Sequence, residues 1–280
     1  INNHKEIKVP NAKAITGIQP HKFLLLGATG TGKTAQILTL PGKKFVYLFD
    51  PNAILTLRGH DIDYEEYYPR NISLDVTSLA KDKSTGLPKG DKVTGQSRSL
   101  RYLEWEKDFS QKVEKGFFNQ YDVIGLDSCT TFLDIIMDRM LAINGRPGAW
   151  PGQDDYGPQM VTFINVVRTF TALGKMIFFT GHLEMDKDEL TQAIYRFPVM
   201  TGKLKQKIPL LFSDIFATDV TNDTKGNVNY TIQTVSDRRT PTIRCSIKGL
   251  NPFEDVTIDW SKPPEGQGIG RLLMNEKKGG

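Results

Sequence analysis

Eight consecutive residues, Gly27-Ala28-Thr29-Gly30-Thr31-Gly32-Lys33-Thr34, fit the spacing G-x-x-x-x-G-K-[ST] without a departure. The chemistry that spacing serves is the grip of nucleotide phosphates. Glycines allow backbone geometries and close approaches that side chains block, so successive N–H groups can turn inward around phosphate oxygens. Lys33 would reach the β- and γ-phosphates, and the Thr34 hydroxyl would ligate Mg²⁺. A helix opening at this point would add the positive end of its dipole. A second acidic group is expected nearby, and Asp127 supplies it at the end of the apolar run "VIGLD". A carboxylate there can hold the water shell of Mg²⁺. Ser128, the next residue, either joins that shell or caps the following helix.

These residues need a frame. The loop follows the apolar run Phe23 to Leu26, and three more short β-favouring runs stand at residues 44–50 (KFVYLFD), 123–126 (VIGL) and 175–182 (KMIFFTGH). Helices are predicted over about residues 99–117, over TTFLDIIMDRMLAIN, and over about residues 158–173, where Met160, Phe163, Val167 and Phe170 share a face. GRPGAWPGQDDYGP, rich in Gly and Pro, must interrupt them. Strands alternating with helices predict an α/β fold with a mostly parallel sheet flanked by helices. Past residue 213, IFATDV, VNYTIQTV and TIRCSI predict further, antiparallel strands. Residues of about 78–99, full of Ser, Thr, Gly, Lys and Asp, read as an exposed insertion, and the tail MNEKKGG reads as disordered.

Composition narrows the class. With 280 residues, 39% hydrophobic and 24% charged, the chain has the make-up of a soluble globular protein. No apolar run reaches membrane-spanning length and the first residues lack a signal-peptide layout, so a cytoplasmic protein with no membrane partner is expected. A net charge of +4 admits an anionic partner without demanding one. Cys129 and Cys245 lack the spacing of a zinc site or a disulfide framework and are expected as reduced thiols.

The order of these parts resembles the RecA-like recombinase ATPases, and more closely the phage-encoded nucleotide-binding proteins of the single-strand-annealing-associated group. The resemblance runs from about Phe23 to Val220, through the phosphate loop, "LFDPNA", "GLDS", "FFTGH" and "DDYGPQMVTFINVVRTFTALGKMIFFTGH". It implies a RecA-like P-loop NTPase core over residues 21–260, with 1–20 as an N-terminal extension and 261–280 as a tail. It also implies ATP and Mg²⁺ as cofactors and an infected bacterial cell as the setting. The sensor strand would lie between the strands carrying the phosphate loop and Asp127, bringing His182 near the γ-phosphate. Where the family has the glutamate that activates water, this chain has Asn52. An amide cannot accept the proton, which leaves Asp50, or Glu184, as the catalytic carboxylate. Arg239, with Arg238, Lys203 and Lys205 as alternatives, would reach a neighbour's γ-phosphate in a ring or filament. The loops at 144–157 and about 183–205 would face single-stranded DNA through Arg146, Trp150, Tyr156, Arg196 and Lys203. Phage annealing or replication proteins would be further partners. A helicase or DNA-packaging motor, and a nucleotide-gated assembly module with little hydrolysis, are the competing readings.

Overall fold

The computed structural model describes residues 20–69, 90–187, 192, 194–200, 204–222 and 226–278. In chain order its strands are β1 (Lys22–Leu26), β2 (Lys44–Leu48), β3 (Asp63–Glu66), β4 (Val123–Asp127), β5 (Met176–Gly181), β6 (Leu183–Lys187), β7 (Ile194–Pro198), β8 (Asp214–Asn222), β9 (Val228–Gln233) and β10 (Phe253–Asp255). The α-helices are α1 (Ala53–Leu57), α2 (Lys92–Glu114), α3 (Cys129–Ile143), α4 (Tyr156–Ala172), α5 (Leu204–Lys207) and α6 (Gly268–Lys278).

Eight strands form one sheet in the order β10-β9-β8-β1-β5-β4-β2-β3. The six from β8 to β3 are parallel, and β9 and β10 extend the β8 edge antiparallel. This is the expected α/β, RecA-like arrangement, and β5 does lie between β1 and β4. Side chains alternate across the sheet, and both faces are filled. Leu24 and Leu26 of β1 point to a layer of Trp105, Phe132, Phe163 and Phe170 from α2, α3 and α4. Phe23 and Leu25 point to the opposite layer, with Ile37, Leu38, Leu57, Ile269 and Leu272.

Several elements differ from the sequence reading. IFATDV, expected among the antiparallel strands, forms β8, which pairs parallel with β1, and the helix expected at the phosphate loop is a 3-10 segment, Thr34–Thr39. The segment read as an exposed insertion to residue 99 is helical from Lys92, capped by the Asp91 carboxylate, which accepts the Val93 and Thr94 N–H groups at 3.0 and 3.1 Å. Its small residues are packing residues: a Cβ on Gly95 would lie 2.2 Å from the backbone nitrogen of Gly148. The stretch TIRCSI makes no strand and only a single bridge from Arg244 to Ile215. The tail read as disordered carries α6, which continues through Lys278.

The position of α6 follows from what precedes it on that face. The segment after the phosphate loop is only a 3-10 helix, Thr34–Thr39, too short to cover its half of the sheet. Ile269, Leu272 and Leu273, spaced i, i+3, i+4, complete the cover. Buried Gln36 holds the two segments together: its amide donates to the Val256 carbonyl at 2.8 Å, and its carbonyl oxygen accepts the Ile269 N–H at 3.0 Å. At the far edge of β1 and β8, buried Asp214 accepts bonds from Ser213 Oγ at 2.6 Å and the Ser246 N–H at 2.6 Å, and pairs with His21 Nδ1 at 2.8 Å.

Leu272→Ala is expected to cost about 2–5 kcal/mol in urea unfolding, as for other buried leucines; an unchanged midpoint would mean that α6 does not pack. Asp214 gives a pH dependence. Burial alone would raise its pKa, but hydrogen bonds from His21, Ser213 and Ser246 outweigh burial and hold it below the usual 3.8. The native chain therefore takes up this proton at lower pH than the unfolded chain. The stabilisation is complete above about 3.8 and disappears as pH falls through the lower native value. Asp214→Asn should flatten the acid limb of a stability-versus-pH curve; an unchanged limb would exclude Asp214 as a contributor.

Candidate nucleotide site

The C-terminal ends of β1, β2, β4 and β5 open into one cavity of about 600 Å³, within the range of about 300–1,000 Å³ typical of ligand pockets. Thr29, Gly30, Gly32, Lys33 and Thr34 line it from the loop after β1, Asp50 and Asn52 from the turn after β2, Asp127 and Ser128 from the end of β4, and His182 from the end of β5. Parallel strands put all of these turns on one edge, which is why residues as far apart in the chain as Thr29 and His182 meet there. Gly30 and Gly32 have φ of +81° and +77°, the left-handed region that favours glycine. Gly27 serves for close approach instead, since a Cβ there would stand 2.0 Å from Thr218 Oγ1.

The polar contacts are dense. Lys33 Nζ donates to the carbonyls of Gly27 at 3.1 Å and Ala28 at 2.7 Å. The Thr34 hydroxyl donates to Asp127 Oδ2 at 2.7 Å, and the Thr180 hydroxyl donates to Asp127 Oδ1. The Thr131 hydroxyl, in the first turn of α3, donates to Asp50 Oδ1, and Thr130 Oγ1 accepts the His182 N–H at 3.2 Å. Burial lowers the Lys33 pKa, partly offset by Asp127 and Asp50. Burial raises that of Asp127, against the hydrogen bonds from Thr180 and Thr34. Each buried charge in this group therefore depends on its neighbours.

An oxygen-rich set of Thr34, Asp127 and Ser128 suits a hard cation such as Mg²⁺. Ser128 Oγ is buried at the cavity wall with no hydrogen-bond partner, a position that a bound ligand or its water shell would satisfy. No group of three or more His, Cys, Asp or Glu side chains is placed to hold a metal among the described residues. Mg²⁺ is commonly held by one or two carboxylates together with substrate phosphates.

Residues 19–242 match the AAA_24 family, described as an AAA domain. The chain belongs to that family. It is an AAA-type P-loop ATPase domain, a class whose members bind nucleotide and usually Mg²⁺. No curated protein matches. Among solved structures, the chain is similar to the flagellar accessory protein FlaH from Methanocaldococcus jannaschii, at 15% identity and a TM-score of 0.40, over 88% of this chain and 90% of that one.

The remaining residues singled out from the sequence scatter. Arg146 is ion-paired to buried Asp155, with Nη2 at 2.8 and 2.9 Å from its two oxygens, so it is committed to its own loop. Trp150 and Tyr156 on the same segment are 57% and 38% exposed. The span expected as a second loop instead holds the antiparallel pair β6 and β7, and Arg196 of β7 stands 3.9 Å from Asp219. Glu184 is ion-paired with Lys205 and does not line the cavity. Arg238 and Arg239 are exposed on the turn after β9, outside the cavity. Lys203 and residues 1–19 lie outside the described residues. Cys129 is a buried thiol, and burial pushes its pKa well up; Cys245 is a partly buried thiol whose Sγ donates to the Ile247 carbonyl at 3.6 Å. No helix is long and apolar enough to cross a membrane among the described residues.

Sequence reasoning missed one wall of the cavity. Tyr230, Val256, Ile258 and Trp260 line it from β9 and the segment after β10. The aromatic ring of Tyr230 would be 3.0 Å from a Cβ on Gly32. Gly32→Ala is therefore expected to lower stability by about 1–2 kcal/mol through left-handed strain and to weaken nucleoside triphosphate binding by displacing Tyr230. Calorimetric titration and urea unfolding check both; wild-type values in the variant would show that neither constraint operates.

Proposed function

We propose that this chain is a Mg²⁺-dependent, RecA-like ATPase that assembles on single-stranded DNA and assists recombination or annealing in a phage-infected cell. The observation that carries the reading is the meeting of Lys33, Thr34, Asp127, Asp50 and His182 at one cavity. In this reading Lys33 leaves its two loop carbonyls for the phosphates of ATP, and Thr34 with Asp127 holds the metal. Mg²⁺, when bound, supplies charge neutralisation to the phosphates. Asp50, with one oxygen held by Thr131, takes the proton of the attacking water. His182, tied through its N–H to α3, senses whether the γ-phosphate is present. Arg239, exposed and outside its own cavity, suits supply to a neighbouring subunit's site. Exposed Trp150 and Tyr156 support stacking on bases, with Arg196 and Lys203 following the strand's phosphates.

A second reading has an observation of its own. Asn52 lines the cavity where a carboxylate would be expected, and Asp50 is already engaged by Thr131. ATP would then gate assembly and turn over slowly.

The test is ATP hydrolysis at matched low salt with and without single-stranded DNA, using Lys33→Ala as the blank. DNA-stimulated turnover that the blank lacks, and that falls about 100-fold or more in Asp50→Asn, is the expected result. Binding without turnover in either condition, with ATP-dependent oligomerisation, would favour the gated assembly.

A further inference from the structure

The cavity has two chemically different ends. One is the phosphate loop with its ionised side chains. The other is the wall of Tyr230, Val256, Ile258 and Trp260, which contributes no charged side chain. We infer that this wall is the nucleoside subsite, that it takes a planar base by stacking against Trp260, and that it discriminates little between purine bases. The inference rests on the nucleotide reading above and adds to it the residues and the specificity of the base end.

Three observations support it. First, placement: Tyr230 lies over Gly32, at the junction of the loop and the wall, so a ligand held by its phosphates extends toward Val256 and Trp260. Second, availability: Val256 and Ile258 are 2% and 8% exposed and form a floor, whereas Trp260 is 55% exposed beside them and packs on the ring of His60, with centroids 5.5 Å apart. A large aromatic ring that lines a cavity yet remains half open has a surface to offer a second ring. Third, selectivity: the Val256 N–H and carbonyl and the Thr257 and Asp259 N–H groups beside the wall are already engaged. The Val256 N–H donates to the Tyr230 carbonyl at 2.8 Å, and the Val256 carbonyl accepts from Gln36 at 2.8 Å. The Thr257 N–H donates to Asp255 at 2.8 Å, and the Asp259 N–H donates to Gln267 at 2.8 Å. Base identity is read strongly by hydrogen bonds to base edges, and stacking is tolerant because every base has a π-face. Val256, Ile258 and Trp260 lie beyond the residues that match the family, so all of the wall except Tyr230 comes from the C-terminal segment that α6 anchors.

The experiment compares Mg²⁺-supplemented binding of ATP, GTP and inorganic tripolyphosphate by wild type, Trp260→Ala, Trp260→Phe and Lys33→Ala, using calorimetry. Tripolyphosphate reports the loop alone, and the ratio of ATP to tripolyphosphate affinity reports the wall. The expected result is a wild-type ratio that falls about tenfold in Trp260→Ala and is kept in Trp260→Phe, with ATP and GTP within about threefold of each other. A ratio unmoved by Trp260→Ala overturns the stacking wall, while loss of tripolyphosphate binding in Lys33→Ala still upholds the phosphate site. ATP bound more than about thirtyfold tighter than GTP overturns the base tolerance. A wild type that binds neither ATP nor tripolyphosphate removes the nucleotide reading itself, and the inference with it.

Discussion

A buried carboxylate at the end of β4 sets the geometry of the site. Asp127 is almost without solvent, and burying an ionisable group that far is costly unless neighbours donate to it. Its donors come from two directions: Thr180 from β5 and Thr34 from the segment after the phosphate loop. Meeting both fixes the height of β5 against β4 and the direction in which the chain leaves the loop. Lys33 joins the same group as a partly compensating charge. A bound metal or phosphate would exchange some of these bonds for contacts of its own.

The first turn of α3 extends that frame. Ser128 lines the cavity, Thr130 holds the backbone of His182, and Thr131 holds Asp50. One helix start therefore touches the ends of β2, β4 and β5 at once. The opposite face is covered by an economical device: a six-residue 3-10 segment leaves space that α6 fills, and Gln36 fastens the two through both ends of its amide. The phosphate loop and the C-terminal segment are thus parts of one packed layer, although more than two hundred residues separate them.

What could be read from the sequence was local. The phosphate loop is contiguous and matches its full spacing, and Asp127 closes a short apolar run bounded by turn signals, the pattern of a buried strand. Parallel order follows from strands alternating with helical periods, whereas the place of β5 between β1 and β4 came only from the family resemblance. The nucleoside wall is different, because Tyr230, Val256, Ile258 and Trp260 become neighbours only through the pairing of β9 with β10 and the docking of α6. The amphipathic spacing of Ile269, Leu272 and Leu273 was a usable signal for α6, but the polar end of the same helix masked it. The Arg146–Asp155 ion pair is hidden for a related reason: the two residues lie nine apart across a Gly- and Pro-rich loop whose closure no periodicity announces. The start of α2 looked like loop because Gly95, Ser97 and Ser99 are small and polar, whereas their size is what lets α2 approach its neighbours.

The contact between α2 and the loop after α3 has a genetic consequence. A Cβ added at Gly90 would stand 1.9 Å from the carbonyl oxygen of Gly148, one at Gly95 would stand 2.2 Å from the Gly148 nitrogen, and one at Gly148 would stand 1.9 Å from the carbonyl oxygen of Asp91. In every case the obstacle is main chain. Trimming a neighbouring side chain cannot relieve such a clash, because there is no side chain to trim. Alanine at any of these three positions should therefore lack single-residue suppressors in the facing segment, and compensation would have to come from a change in loop length.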